Sequence, residues 1–414
     1  MYTLGTTRRE FMQALAALPV LGHSATSTAS PSNGALAPLT DFGLSPGLVH
    51  LNTASAGPTS KRVLARTLEA WRQLEVDPVA QSYYERPDTV FTAADQVRGK
   101  AAVLVGCSPD EILITRGTTD GITTLAHSVR LAGGDRVLLS NLEHEGGEVG
   151  WVHRQKLDGV IVDRVQLPLQ EYDVDRIVKA YRAAITPRTR VISVSHVLAS
   201  TGLKMPIADI AKLARANKIL CVVDGAQAVG HIAVDVVALG CHAYATSGHK
   251  WLMGPKGTGF VYVAQNAGRD IEPPQWQLGR AVGSDSAGLA PLTLAVGLGA
   301  AIDDVRRMGM SRIERHNFTL ARFIHAELSK MPLLHVVSPP PGPNATAMVA
   351  AMLPPTIDAD LVRARMQERH GVVIKLTEKR WFNGIRMSPH VFNDETQVAT
   401  ALAALRIEVE GFST

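Results

Sequence analysis

Three short segments of this chain carry side chains that could do chemistry together. Lys250 stands between His249 and Trp251 in Ala245-Thr246-Ser247-Gly248-His249-Lys250-Trp251, a stretch otherwise poor in charge. Most lysines are solvated surface residues, but surface lysines seldom have such neighbours. Asp224 closes the apolar run Cys221-Val222-Val223 and is followed by Gly225-Ala226-Gln227. The run puts its carboxylate at the rim of a sheet, where an acid partners a cofactor or metal, or caps the next helix. The third segment is Ile112-Leu113-Ile114-Thr115-Arg116-Gly117-Thr118-Thr119-Asp120-Gly121. It reads as a strand and a hydroxyl-rich turn, with a helix over Ile122–Leu131 behind them. N–H groups at that helix start, aided by Thr118 and Thr119, suit an anionic phosphate; taken alone, an N-cap turn also explains them. Together the three supply what pyridoxal phosphate chemistry requires. The lysine amine forms a Schiff base, the acid keeps the pyridine nitrogen protonated, and the turn cradles the phosphate.

The elements that must position these groups are set by hydrophobic patterning. Val137-Leu138-Leu139, Val191-Ile192-Ser193-Val194 and Ile219-Leu220-Cys221-Val222-Val223 read as buried strands of a mostly parallel sheet. Between the last two, Ile207–Arg215 has apolar residues at helical spacing, with Pro206 suited to a first turn. Strand, helix and strand within about thirty residues make a βαβ unit, so helices should cover both sheet faces. Leu292 to Met331 is helical in pattern and broken near Gly309, and Pro339-Pro340-Pro341-Gly342-Pro343 marks a turn or linker. Beyond it an Ala345–Leu353 strand, a Leu361–Arg369 helix ending at Gly371, strands near Val372 and Ile385 and a terminal helix form a small α+β lobe. The expected organisation is a leader and disordered linker over residues 1–40, a three-layer αβα large domain over 41–305, and a small C-terminal α+β domain over 306–414. Residues 41–75 are alternatively placed against the small domain.

Composition narrows the function. Among 414 residues, 42 basic and 38 acidic side chains leave +4, without long runs, which does not indicate a nucleic-acid binder. No apolar stretch reaches the ~18 residues of a spanning helix, so no membrane anchor is expected. Cys107, Cys221 and Cys241 form no CxxC pair, which disfavours a zinc ribbon or disulfide scaffold. Cys107 sits in a helix-to-strand turn, a structural position. His144, Glu145 and Glu148 share a Gly-rich loop that argues against a metal, and Gly254–Gly259 lacks the order of a phosphate loop. The N-terminus reads differently. Thr7-Arg8-Arg9-Glu10-Phe11-Met12, a mildly apolar run from Ala14 to Gly22 and a small-residue tail fit an export signal. The paired arginines resemble a twin-arginine signal, a receptor-read address that carries folded protein. Cleavage would fall near Ala25–Ser30 or Ala35-Leu36-Ala37, giving a periplasmic or secreted protein, with a cytoplasmic one as the alternative.

The segments Ser193-Val194-Ser195-His196-Val197-Leu198-Ala199-Ser200-Thr201-Gly202, Val223-Asp224-Gly225-Ala226-Gln227-Ala228-Val229-Gly230 and Ser247-Gly248-His249-Lys250-Trp251 resemble the class V aminotransferase family of fold-type I pyridoxal phosphate enzymes. The likeness is greatest to its isopenicillin N epimerase-like branch. Leu51-Asn52-Thr53-Ala54-Ser55-Ala56-Gly57-Pro58 and Gly384-Ile385-Arg386-Met387-Ser388-Pro389-His390 match its two ends, so the resemblance covers residues 48–410. It implies that Lys250 is the Schiff-base lysine and proton shuttle, that Asp224 pairs with the pyridinium nitrogen, and that Gln227 lies near the phenolic oxygen. His144 would be the aromatic shelf over the ring. Gly117, Thr118, Thr119, Ser247 and His249 would hold the phosphate, and Arg386 would clamp the substrate carboxylate. Asn52 and His196 would border the substrate pocket, and two copies would form a homodimer.

The resemblance further implies an external aldimine with an amino acid or an amino-acid-derived small molecule, and removal of its Cα proton. Transamination is the leading outcome; a C–S or β-eliminating lyase and an epimerase are the alternatives, and an exported binding protein without turnover is the non-enzyme one. Two departures matter. Where many relatives have a Gly-Thr pair reaching the partner subunit's phosphate, this chain reads Gly283-Ser284-Asp285-Ser286-Ala287-Gly288-Leu289. No cysteine follows Cys241, which removes the C-terminal-lobe thiol of persulfide-forming desulfurases.

Overall fold

A computed structural model describes residues 34–267, 270–271 and 291–412. The leader-like segment up to residue 33 and the Gly283–Leu289 segment lie outside these described residues. In chain order the strands are β1 (Val49–His50), β2 (Ile112–Thr115), β3 (Arg136–Ser140), β4 (Ile161–Val165), β5 (Thr189–Ser195), β6 (Leu220–Asp224) and β7 (Ala243–Ser247). They continue with β8 (Gly259–Val263), β9 (His335–Val336), β10 (Val349–Met352), β11 (Val372–Val373), β12 (Lys375–Leu376) and β13 (Gly384–Met387).

The large sheet has the order β2-β8-β7-β6-β5-β3-β4. From β7 to β4 every pairing is parallel, and β8 alone runs against its neighbours β2 and β7. Strands β7 and β8 are buried along their whole length, as expected of strands covered on both faces. The fold is an α/β layer architecture with a mostly parallel central sheet. A second, antiparallel sheet of order β12-β13-β10-β9 belongs to the C-terminal part of the chain. Both sheets lie in one compact unit, Asn33–Thr414. β1 pairs in parallel with β11, so the segment that opens the fold is stitched to its C-terminal lobe.

Several elements differ from the sequence reading in instructive ways. The helix placed at Ile122–Leu131 runs from Thr118 to Ser128, so Thr118 and Thr119 are its first residues rather than a preceding turn. Gly117 makes this possible: its φ of 149° lets the chain turn straight from strand into helix. The Ala345–Leu353 strand shortens to Val349–Met352, because the Ala347 N–H is committed to His231 Nε2 at 2.9 Å and the Met348 N–H to Thr346 Oγ1 at 3.4 Å. The Leu361–Arg369 helix extends to Ala359–His370, capped by Asp358 and ended by left-handed Gly371. Pro206 occupies the N-cap of Ile207–Ala216, not its first turn. Residues 34–40, expected as linker, are placed: Leu36 and Ala37 pack on the core, and Ala37 N–H donates to the Val391 carbonyl at 2.9 Å.

Candidate active site

Because β2, β3, β5, β6 and β7 all run in one direction, their carboxyl ends share one edge of the sheet. That edge is where open α/β sheets collect ligand-binding groups. Each strand delivers something there: Gly117 and Thr118 follow β2, Glu143 and His144 follow β3, Ser195 ends β5, Asp224 ends β6 and Ser247 ends β7. A cavity of about 720 Å³ opens at this edge. Its lining includes Gly117, Thr118, Thr119, His144, Asp224, Gln227, Ser247, His249, Lys250 and Arg386, ten of the twelve candidates drawn from the sequence.

The anion-binding part is built around the start of the Thr118–Ser128 helix, which has no side-chain cap. Ser247 Oγ accepts the Thr118 N–H at 3.1 Å and lies 2.8 Å from Thr118 Oγ1. An added Cβ on Gly117 would make only ordinary contact with His249 and Ser247, 3.6 Å from each, so the positive φ rather than crowding calls for glycine there. His249 Nδ1 is buried without a hydrogen-bond partner. Burial, then the charges of Lys250 and Lys256, push the His249 pKa down and favour the neutral ring, while a backbone hydrogen bond at Thr258 opposes them. The N-terminal helix field and these donors all favour a negative ligand.

Asp224 is buried, and its Oδ1 accepts the Ala226 N–H at 2.9 Å. Its Oδ2 lies against Gly147, where a Cβ would come within 2.6 Å, so only glycine lets the Glu145–Asp158 helix approach. Burial raises the Asp224 pKa, opposed by the Ala226 hydrogen bond and then by the positive charge of Lys250. Lys250 shifts the other way: burial pushes its amine down to about 8, with Asp224 opposing and Arg386 and Lys375 adding to the fall. Trp251 holds the neighbouring backbone. Its indole N–H donates to Gln227 Oε1 at 2.9 Å, while Gln227 Nε2 donates to the Ala54 carbonyl at 2.9 Å.

His144 is half-exposed at the mouth, with Nδ1 accepting the Gly146 N–H at 3.0 Å and Nε2 standing 3.6 Å from Glu378 Oε1. Arg386 is buried; Nη1 donates to the Ala199 carbonyl at 2.6 Å, and Nε has no partner. Two sequence candidates fall elsewhere. His196 is buried outside the lining, with Nδ1 2.9 Å from the Tyr244 hydroxyl. Its backbone, rather than its ring, reaches the site, through an N–H donated to the Asp224 carbonyl at 2.8 Å. Asn52 also lies off the lining, because its backbone is bridged to Ser388. The sequence reading assigned no role to Lys375, Glu378 and Trp381, which line the cavity from the β12–β13 connection. Their signal was the charged, tryptophan-containing run Lys375-Leu376-Thr377-Glu378-Lys379-Arg380-Trp381 just ahead of Arg386.

A neutral-histidine and hydroxyl cradle, an acid-amine pair and unpartnered donors in one cavity fit a phosphorylated, cationic-ring cofactor. The fold and this edge define a pyridoxal phosphate enzyme. The profile of the Aminotransferase class-V family matches residues 49–379, and the chain belongs to that family, whose cofactor is pyridoxal 5′-phosphate. It is 31% identical over 385 residues to the isopenicillin N epimerase of Amycolatopsis lactamdurans, covering 88% of this chain and 96% of that one. A cysteine desulfurase of Dickeya dadantii is 31% identical over 317 residues, 70% of this chain and 74% of its own. Among solved structures, a variant of C-DES with glycine covalently linked to its pyridoxal phosphate superposes with a TM-score of 0.77 at 20% identity, over 89% and 98% of the chains.

Behind the cavity lies a second carboxyl group. Glu143 is buried, with Oε1 accepting from Ser140 Oγ at 2.8 Å and Oε2 from the Ser195 N–H at 3.0 Å and hydroxyl at 2.5 Å. It joins the ends of β3 and β5. Burial pushes its pKa up to about 7; the serine hydrogen bonds oppose this and the Asp224 charge adds to it. An acid with a raised native pKa binds its proton more tightly when folded, so its stability contribution is present at low pH and lost as pH rises through the native value. Between pH ~4.5 and ~7 the wild type should therefore lose stability relative to Glu143→Gln, by up to roughly 3 kcal/mol at about 1.4 kcal/mol per pKa unit. Urea denaturation of both proteins across this range checks it, and parallel pH profiles would refute it.

Proposed function

We propose that this protein removes the Cα proton of an amino acid or amino-acid-derived small molecule with pyridoxal phosphate, and that transamination is its outcome. One observation carries the reading: Lys250, with its amine lowered to about 8, lines the same cavity as Asp224 and the buried Arg386. Bound pyridoxal phosphate supplies a ring that takes up the electron pair left at Cα. Thr118, Thr119, Ser247 and His249 would hold its phosphate, with Gly117 giving the room. Asp224 would keep the ring nitrogen protonated, Gln227 would offer its remaining amide hydrogen to the phenolic oxygen, and His144 would lie against the ring. Arg386 would grip the substrate carboxylate through its fork of donors. Lys250, whose pKa puts a useful fraction of amine in the neutral form near pH 7–8, would accept the Cα proton as general base. Returning that proton at a different atom gives transamination, and one lysine suffices for both transfers.

Epimerisation is the second reading, favoured by the A. lactamdurans relative. It needs another proton carrier, and His144 beside Glu378 is available in the cavity. A persulfide route through the cavity lacks its thiol, since no cysteine follows Cys241, and burial pushes Cys107 and Cys221 up to about 12. Product analysis separates the outcomes. With an amino acid and a keto acid supplied together, we expect amino-group exchange, and at least ~10²-fold loss in Lys250→Ala. Inversion at Cα without exchange would instead establish the epimerase, release of pyruvate or a thiol the lyase, and no turnover of any kind the exported binding protein.

Export by the twin-arginine route forms part of the proposal, supported by Thr7-Arg8-Arg9-Glu10-Phe11-Met12. In a cell with this machinery, the protein should reach the periplasm or medium, and Arg8→Lys with Arg9→Lys should retain it in the cytosol. Equal distribution of both forms would remove this part.

A homodimer is proposed as well. On the helix Lys61–Leu74, Leu64, Leu68 and Trp71 are 50%, 47% and 53% exposed at spacings of four and three residues, forming an apolar stripe along its outer face. Val79, Tyr83 and Tyr84 extend the exposed apolar surface over the next segment. Sedimentation should show a dimer that Leu68→Glu with Trp71→Glu converts to monomer; a monomeric wild type would refute it.

A further inference from the structure

Lys375 on β12 and Arg386 on β13 are directly opposite one another in the antiparallel register, and both line the cavity. Opposed side chains on one sheet face lie within about 5 Å of each other at Cβ, and like charges there are destabilising. Glu378 attracts both and relieves them in part, while burial works against each charge. Among the described residues Lys375 Nζ makes no hydrogen bond or close ion pair, and Arg386 Nε is buried without a partner. Glu378, the carboxylate of the same connection, is already engaged: Oε2 accepts from Arg380 Nε at 2.7 Å. Arg380 in turn reaches Glu148 at 3.2 Å and the Glu143 carbonyl at 2.6 Å, which pins the connection in place. Trp381, beside Arg380, contributes to the lining, and its indole N–H is buried and unpartnered.

The charge balance then decides the matter. Lys250 has Asp224 opposite it, and a single substrate carboxylate balances Arg386. Lys375 remains: Glu378 attracts it, but that carboxylate is bound to Arg380. We propose that the substrate is an α-amino acid whose side chain ends in a second carboxylate, held by Lys375 while Arg386 holds the α-carboxylate. This deepens the reading of the site as one for amino acids and rests on it.

The test is an absorbance titration of the holoenzyme with matched pairs: aspartate against 2-aminobutyrate, glutamate against norvaline, and 2-aminoadipate against norleucine. At least one dicarboxylate should bind roughly tenfold or more tightly than its neutral partner, the scale of one charge-assisted hydrogen bond. Lys375→Gln should collapse that preference ratio, and Lys375→Arg, which keeps the charge and controls for folding, should retain it. Binding of both sets without preference, or a preference untouched in Lys375→Gln, would overturn the second-carboxylate assignment and leave the amino-acid reading standing. No spectral response of the wild type to either set would overturn both.

Discussion

Placing Asp224 and Lys250 together in a cavity at the sheet edge is the constraint on which the rest of this structure depends. Each group alone resists burial: desolvation drives the acid toward its protonated form and the lysine toward its neutral one. Their mutual attraction offsets part of this, but only if neither can swing out to water. The frame that prevents it is apolar. Val222, Val223, Ala243 and Ala245 are buried on the neighbouring strands, and Gly147 brings a helix backbone against the free carboxylate oxygen. A larger residue at 147 would displace either the helix or the acid.

The backbone of Lys250 is anchored by its neighbour Trp251. That tryptophan is fully buried, stacks on His231 at a centroid distance of 3.7 Å, and meets His390 edge-on at 5.2 Å. The His390 Nε2–H donates to the Trp251 carbonyl at 2.9 Å, and His231 Nε2 accepts the Ala347 N–H at 2.9 Å. Both histidines are pushed down to about 3 by burial, so they act as neutral packing groups with one donor and one acceptor each. Through them the backbone next to Lys250 is tied to residues 347 and 390 of the C-terminal part. The arginine that faces the cavity, Arg386, sits on β13 a few residues before His390, so one network fixes the lysine and the strand that carries the clamp.

The sheet was largely legible in the sequence because buried parallel strands write themselves as uninterrupted apolar runs, and Asp224, Ser247 and Gly117 stand where those runs stop. Strand ends were shifted by one or two residues, since apolar character does not mark where backbone pairing ceases. His196 shows a deeper limit. A histidine one residue beyond a strand resembles a site residue, yet β5 turns its ring toward Tyr244 and only its backbone N–H touches Asp224. Asn52 stands off the cavity lining for a related reason: its pairing with Ser388, far away in the chain, has no local signature. Lys375 was overlooked because its importance comes from register opposite Arg386, and register between strands of a small antiparallel sheet is set by tertiary pairing.

These two scales of organisation meet in the electrostatics of the cavity. Arg386 and Lys375 add to the burial that lowers Lys250, Arg386 adds to the burial that lowers Lys375, and burial, opposed by Glu378, brings Arg386 itself down to about 10. A protein that kept these charges only for stability would pair them internally, as it pairs Arg380 with Glu378 and Glu148. Instead Lys375 and Arg386 face each other across the β12–β13 pair and both line the cavity, where His249 Nδ1 and Arg386 Nε are left without partners. Anions that bind the folded form and not the unfolded chain stabilise it by mass action. Phosphate and carboxylate groups held at this edge would therefore stabilise the fold as they bind.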